Sequence, residues 1–240
     1  KKLKPATVRH ALEVLRRLSN FATKHNLCSG IRFVIEMPKV NNLMTENLTP
    51  EEYNRLENLL DEEKDIQAAN LLRFALFTGM RRGELFKLKW KDINYNTKII
   101  LIRDPKSGLD ETIPINEIAL SVLDKHPKTE SEFVFPGLGG NQRKTTPRPL
   151  RRVIKKAGLN NFRPFHGLRH AYASTLASSG KVDLYKLQKL LTHKSPLMTQ
   201  RYAHLSNDAL MEASNVISDL TKSHQNITDL DELKIGKGES

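Results

Sequence analysis

The spacing of apolar residues is the feature that most constrains this chain, because it is helical almost throughout and strand-like in one place. The exception is a pair of short segments, 98–103 and 111–115, joined by a turn that contains Pro105, Lys106 and Gly108. Helical patterns lie on both sides of this predicted hairpin. The sequence therefore predicts a mainly α fold with a small antiparallel β-sheet.

The helices are delimited by apolar stripes and by residues that start or stop helices. The first, 7–26, has a clear apolar stripe that needs a partner to be buried. Further helices are predicted to begin at Pro50, to cover 66–77, and to run through Leu85 and Leu88 to Trp90. Others are predicted at 117–125, 148–157, 167–178 and 183–191, and two more begin at Ser195-Pro196 and after Ser206.

A strong helix start at Thr49 indicates the beginning of the main domain. Thr49 is an N-cap residue, Pro50 suits the first helical position, and Glu52 completes a capping box. We therefore predict a helical segment at 1–27, a linker at 28–48, a main domain at 49–220 and a polar tail at 221–240.

The charge of the chain points to a polyanionic partner. There are 39 Lys and Arg residues against 27 Asp and Glu, a formal net charge of +12. Residues 1–46 form one basic block, and residues 141–170 form a second that contains no acid. A polyanion lying across one face would explain this distribution, and a solvated helix face is the alternative. The candidate DNA-binding residues in the second block are Arg143, Lys144, Arg148, Arg151, Arg152, Lys155, Lys156 and Arg163.

Composition also limits the class of protein. Hydrophobic residues make up 38% of the chain and charged residues 28%, which is typical of a globular protein. The sequence contains no run of about 18 apolar residues, the length that a membrane-spanning helix needs, and no signal peptide is visible. The lone Cys28 has no internal disulfide partner, so we expect a reducing, cytoplasmic setting.

Taken one at a time, the candidate catalytic residues are ambiguous. Arg81 could bind a phosphate or simply pair with Glu84 at the surface. His166 and His170 have the spacing of a zinc-binding helix, but Gly167 stands where a metalloprotease needs glutamate, so we predict no metal site. Lys106 could be an ordinary solvated lysine, His193 could merely cap a helix, and Tyr202 is one of 5 tyrosines.

The order of these residues resembles the tyrosine recombinase (phage integrase) family. The resemblance extends from about residue 48 to 220 and begins with Arg81 in the segment Thr-Gly-Met-Arg-Arg-Gly-Glu-Leu. A lysine in a β-turn, a His-x-x-Arg motif, a histidine after two leucines and a tyrosine nine residues later follow in order. Residues 90–93 and 133–136 also match family features. Residues 5–40 resemble the last helix of the family's core-binding domain, which we expect to be truncated here.

The resemblance implies a metal-free and cofactor-free phosphoryl-transfer site. Arg81 and Arg169 are expected to clamp the scissile phosphate, with Glu84 orienting Arg81. Lys106 is expected to protonate the leaving 5′ oxygen.

The remaining roles also follow from the resemblance. His166 is expected to act as an acid–base group, His193 to donate a hydrogen bond to the phosphate, and Tyr202 to be the nucleophile. Two departures from the family pattern are Thr192, where glycine is usual, and Arg82-Gly83 after the first catalytic arginine.

The expected partners are double-stranded DNA and further copies of the chain. The family forms tetramers on DNA through a C-terminal helix, here residues 207–220, although this helix could instead pack on its own domain. Thr192 and the tail favour a mobile-element integrase over a chromosome-dimer-resolving recombinase. Two alternatives stay open, a type IB topoisomerase-like nicking-closing enzyme and a non-catalytic DNA-binding regulator with the same fold.

Overall fold

The computed structural model describes residues 3–40, 47–103, 109–160 and 162–205. The chain forms two compact units that divide between residues 44 and 45. Lys106, the predicted helix at 207–220 and the predicted tail at 221–240 lie outside the described residues.

The first unit is built on helix α1, Pro5–Lys24, which begins and ends two residues earlier than predicted. None of its residues is buried, and Leu18 and Phe21 on its apolar stripe are 62% and 59% exposed. The backbone N–H of Ile31 donates to Ser19 Oγ at 3.0 Å. The start of the segment predicted as a linker therefore folds back along α1.

The described part of the second unit is mainly helical. Its helices are α2 (Pro50–Asp61), α3 (Ile66–Thr78), α4 (Arg82–Lys87), α5 (Glu117–Asp124), α6 (Arg148–Lys156), α7 (Pro164–Ser178), α8 (Leu184–Leu190) and α9 (Pro196–Gln200). Single 3₁₀ turns cover Trp90–Asp92, Leu138–Gly140 and Ala203–Leu205. At the start of α2 the Thr49 hydroxyl accepts from the Glu52 N–H, and the Glu52 carboxylate accepts from the Thr49 N–H. This is the predicted capping box.

The sheet has three antiparallel strands in the order β1 (Ile93–Asn94), β2 (Ile99–Ile102) and β3 (Glu111–Pro114). Ile100 pairs with Ile93 on one side and with Ile113 on the other, and all three are buried. The sequence predicted only β2 and β3. The prediction of a mainly α fold with a small antiparallel sheet is confirmed for the described residues.

Helix α3 lies at the centre of the second unit, packed against α5, α6 and α7. Most of its residues are buried, which fits a helix that is apolar on nearly every face. A second, smaller cluster joins α7 and α8 to Tyr202 through the buried side chains of Ala173, Ala177, Leu187 and Leu191. The C-terminal part of the described chain is thereby fixed on α7. None of the helices in the described ranges has the length and apolarity that a bilayer crossing requires.

Candidate active site

The turn between α3 and α4 presents Arg81. Helix α3 ends at Gly79, whose φ of +63° reverses the chain at little steric cost. A Cβ atom on Gly79 would lie 2.4 Å from Cδ1 of Tyr172. Both the backbone conformation and the packing therefore require glycine here, and Arg81 follows in an extended conformation.

The guanidinium group of Arg81 is held from two sides. The Glu84 carboxylate accepts from Nη1 at 2.8 Å and from the Arg81 backbone N–H at 2.7 Å. On the other side, the Thr192 hydroxyl accepts from Nη1 at 2.5 Å and the Thr192 carbonyl accepts from Nη2 at 2.9 Å. The Glu84 side chain is only 6% exposed and that of Arg81 is 30% exposed. The cation is therefore oriented by buried groups while part of it faces solvent.

Thr192 adopts an unusual backbone conformation for a β-branched residue. Its φ is +48°, in the left-handed region that favours glycine. In this conformation both its hydroxyl and its carbonyl reach Arg81. The threonine that departs from the family pattern is thus bonded directly to the first candidate arginine.

Arg169 is buried near the start of α7. Its Nη1 donates to the Gly79 carbonyl at 2.8 Å, and its Nη2 donates to the Leu191 carbonyl. Burial, reinforced by the nearby charge of Arg81, lowers the pKa of Arg169 to about 10. Arg169 therefore remains cationic at neutral pH, and its two carbonyl partners tie the α3–α4 turn to the end of α8.

Tyr202 is buried, and its hydroxyl lies 2.5 Å from Nδ1 of His170. The other ring nitrogen of His170, Nε2, lies 3.0 Å from Nε2 of His166. His170 is itself buried, whereas His166 is exposed. Burial lowers the pKa of His170 to about 3, and the neighbouring His166 adds to the effect. His170 is therefore neutral at physiological pH, with one ring nitrogen able to donate and the other able to accept.

His193 lies next to Thr192 in the loop between α8 and α9. Its Nδ1 lies 2.8 Å from the buried Thr199 hydroxyl, and its backbone exchanges hydrogen bonds with Gln188. Burial, then the charges of Arg169 and Arg81, lower the pKa of His193 to about 3. A neutral imidazole oriented in this way can donate a hydrogen bond to an anion.

The structure brings four of the predicted catalytic residues, Arg81, Arg169, His193 and Tyr202, into mutual contact or electrostatic reach. Arg81 and Arg169 both influence the pKa of His193, and Tyr202 influences that of Arg169. His166 joins this group through His170. Within the described ranges, no group of three or more His, Cys, Asp or Glu residues is arranged to hold a metal ion.

The predicted DNA-binding residues differ in how they are engaged. Seven of the eight are exposed, namely Lys144, Arg148, Arg151, Arg152, Lys155, Lys156 and Arg163. Nη2 of Arg152 forms an ion pair with Glu63 at 2.8 Å. Arg143 is half-buried and donates to the carbonyls of Phe135 and Pro136. Arg143 therefore stabilises the loop that contains Phe135 and Pro136. Most of the exposed basic residues of this set lie on α6.

The sequence pattern indicates no role for His170 beyond the spacing of a metal-binding helix. In the structure its ring lies against the Tyr202 hydroxyl. The available signal was the four-residue spacing, which puts His166 and His170 on one face of α7. The link to Tyr202, 32 residues away, depends on packing.

Comparison with protein families gives a match over most of this unit. The model of the phage integrase family matches residues 46–208. Tyrosine recombinase XerA of Pyrococcus horikoshii is 30% identical over 186 residues, which are 75% of this chain and 64% of the relative. The integrase of Salmonella phage P22 is 30% identical over 202 residues, 78% of this chain and 51% of the relative. The chain thus spans about half to two thirds of the length of these relatives.

Solved structures share the fold. The Tn1549 transposon integrase in complex with a circular intermediate DNA superposes with a TM-score of 0.72 at 18% identity, over 90% of this chain and 80% of that one. XerH site-specific recombinase, bound to its difH substrate after cleavage, gives a TM-score of 0.69 at 22% identity, over 90% and 68%. At these identities the likeness shows a common fold, which is the tyrosine recombinase catalytic-domain fold expected from the sequence.

Proposed function

The chain belongs to the phage integrase family of tyrosine recombinases, and from this premise we propose that it cuts and rejoins DNA at specific sites. In the proposed reaction the Tyr202 oxygen attacks the scissile phosphate, forming a 3′-phosphotyrosine and releasing a 5′ hydroxyl. The covalent intermediate conserves the energy of the phosphodiester, so that rejoining requires no ATP.

The observation that carries the proposal is the convergence of two immobilised arginines beside the buried tyrosine. Arg81 is fixed by Glu84 and Thr192, and Arg169 by backbone carbonyls. Negative charge builds up on the phosphate oxygens in the transition state, and cations that are already oriented stabilise it without reorganisation. Placing this charge in a partly buried site strengthens the interaction.

The proposed role of Lys106 follows from the resemblance alone, and the roles of His193 and His166 follow from the resemblance and from their positions. Lys106 protonates the leaving 5′ oxygen, and the neutral His193 donates a hydrogen bond to the phosphate. His166 acts as an acid–base group at the exposed edge of the site. No cofactor is proposed.

Double-stranded DNA is the proposed substrate, gripped in part by the exposed basic residues of α6. Arg148, Arg151 and Lys155 on this helix are exposed cations of the kind that contact phosphates. Arg143 and Arg152 also belong to the proposed DNA-binding residues, although both have partners within the protein. Assembly as a tetramer through residues 207–220, a reducing cytoplasmic location and a mobile-element origin complete the proposal. The last is supported by similarity to the P22 integrase and the Tn1549 integrase.

The Tyr202→Phe variant tests this function. It retains the ring that fills the α7–α8 cluster and removes the nucleophilic oxygen. We expect DNA binding unchanged within about twofold and no covalent protein–DNA adduct on a nicked suicide substrate, measured by denaturing gel. Persistent adducts in the variant, or none in the wild type, would contradict the proposal.

Strand exchange between two labelled duplexes then separates the candidate activities. A recombinase joins strands from different duplexes. A nicking-closing enzyme relaxes supercoils without exchange, and a regulator binds DNA and does neither.

A further inference from the structure

We propose that His170 is the group that takes the proton from Tyr202, and that it passes a proton on to His166. This inference rests on the proposed function, since it describes how the Tyr202 oxygen becomes a nucleophile. It assigns catalysis to a histidine outside the six residues that the sequence singled out.

The burial of Tyr202 creates the need for such a group. The residue is only 1% exposed, so bulk water is not available to accept the phenol proton. An ordinary phenol has a pKa of about 10 and is a poor nucleophile while protonated. The imidazole of His170, at 2.5 Å, is within direct proton-transfer distance of the hydroxyl.

The two contacts of His170 define a direction for the proton. A phenol is a better donor than acceptor, so Tyr202 donates to Nδ1 and the neutral ring then carries its hydrogen on Nε2. That Nε2–H donates to Nε2 of His166 at 3.0 Å, which places the His166 hydrogen on Nδ1. The arrangement is a chain of hydrogen bonds that leads from a buried hydroxyl to an exposed ring.

Burial and the neighbouring charges both disfavour a protonated His170. Burial lowers its pKa to about 3, and the charges of His166, Arg201, Arg163 and Arg169 add to the effect. A proton received on Nδ1 is therefore best accommodated if the one on Nε2 leaves at the same time. A phosphodiester held by the two arginines brings negative charge to the site and favours this transfer.

The step balances without any further reactant. The O–H bond of Tyr202 breaks as the O–P bond forms, and the bond from phosphorus to the 5′ oxygen breaks. Nδ1 of His170 gains the phenol proton, and the proton of Nε2 moves to His166. The leaving oxygen takes its proton from Lys106, as in the proposed function. Rejoining reverses each transfer.

The variant His170→Asn distinguishes two functions of His170, which are orienting the Tyr202 hydroxyl and accepting its proton. The side-chain oxygen of asparagine reaches the position of Nδ1 and still accepts from Tyr202, but it does not take up a proton. We expect DNA binding as in the wild type and single-turnover adduct formation at saturating DNA slower by about 100-fold or more. The matched control is His126→Asn, which alters another buried histidine, bonded to Asn70 and Val134. Folded His126→Asn protein should form adducts at the wild-type rate.

A substrate with sulfur in place of the bridging 5′ oxygen distinguishes this role from others. A thiolate leaves without being protonated, so the sulfur substrate should restore cleavage to Lys106→Ala and leave His170→Asn slow. Wild-type rates in His170→Asn on both substrates would overturn the relay and leave the proposed function intact. If the wild type itself forms no adduct, the proposed function fails first.

A second variant keeps the test valid if His170→Asn does not fold, which circular dichroism would reveal. His166 is exposed, so His166→Gln is not expected to disturb packing. The relay predicts slow cleavage by His166→Gln on both the oxygen and the sulfur substrates. Full restoration by sulfur would assign His166 to the leaving-group side and contradict the relay.

Discussion

At the scale of single residues, Thr192 shows how a strained backbone position can orient a proposed catalytic group, the guanidinium of Arg81. A threonine with φ of +48° costs on the order of 1 kcal/mol relative to glycine. Its hydroxyl accepts a hydrogen bond from Nη1 of Arg81, and with glycine at this position that N–H would bond to water instead. Because the Thr192 carbonyl also accepts from Arg81, the loop and the arginine are oriented together.

Removing the Thr192 hydroxyl should weaken catalysis without abolishing it. Thr192→Ala loses one hydrogen bond to a cation, while Glu84 and the carbonyl of residue 192 still hold Arg81. We expect adduct formation slower by about threefold to tenfold at saturating DNA. Thr192→Ser keeps the hydroxyl and should stay within about twofold of the wild type. Equal rates for the alanine and serine variants would show that the hydroxyl does not matter.

The order of Arg81, Arg169, His193 and Tyr202 along the chain identifies them as candidate site residues, but it does not reveal their partners. The bond between Arg81 and Thr192 joins residues 111 positions apart, so no local spacing reveals it. Long-range contacts of this kind depend on how α7, α8 and the intervening turns pack.

At the scale of elements, the turn from α3 to α4 holds both arginines in place. Gly79 caps α3 in the left-handed conformation, and its carbonyl accepts from Arg169. Two residues later the chain presents Arg81. A change in this turn should therefore affect stability and activity together.

Gly79→Ala should be strongly destabilising. The new Cβ would lie 2.4 Å from the Tyr172 ring, and the left-handed conformation adds about 1 kcal/mol. We expect a total loss of about 2–4 kcal/mol in the free energy of unfolding, measured in urea. Gly83→Ala is the control, because no atom lies within 4 Å of its added Cβ. It should be neutral or stabilising by up to about 1 kcal/mol. A Gly79→Ala variant as stable as Gly83→Ala would refute this account of the turn.

Elements with clear end signals were predictable, and those without them were not. The capping box at Thr49 and the glycine at position 79 mark helix ends in the sequence itself. Strand β1 has only two residues, too few for an alternating pattern, and is a strand only because it pairs with β2. Helix α7 begins at Pro164, three residues before the predicted start. Proline suits the first turn of a helix, but the apolar residues of this segment do not mark the turn as helical.

At the scale of the whole molecule, buried neutral histidines should make stability depend on pH. The pKa values of His170 and His193 are lowered to about 3, and burial also lowers that of His126. In the unfolded chain a histidine titrates near 6.5. Between these values the unfolded state binds more protons, so stability is fully present above about pH 6.5 and is lost as pH falls towards 3.

The contribution of His170 to this effect can be isolated. Because His170 stays neutral in the folded state and is protonated in the unfolded state at pH 5, it should lower the free energy of unfolding by about 2 kcal/mol at pH 5 relative to pH 7.5. We expect the difference in unfolding free energy between these two pH values to be smaller by about that amount in His170→Asn than in the wild type. The measurement is urea unfolding at both pH values. An identical difference in the two proteins would mean that His170 is not held neutral by the fold.

The central claim is that Tyr202 alone among the 5 tyrosines carries the DNA. Mass spectrometry of the trapped adduct tests it most directly, after nuclease treatment has reduced the DNA to a nucleotide and trypsin has cut after Arg201. We predict the nucleotide mass on the peptide that begins at Tyr202. The same mass on a peptide containing Tyr53, Tyr95, Tyr172 or Tyr185, with none on Tyr202, would contradict the claim.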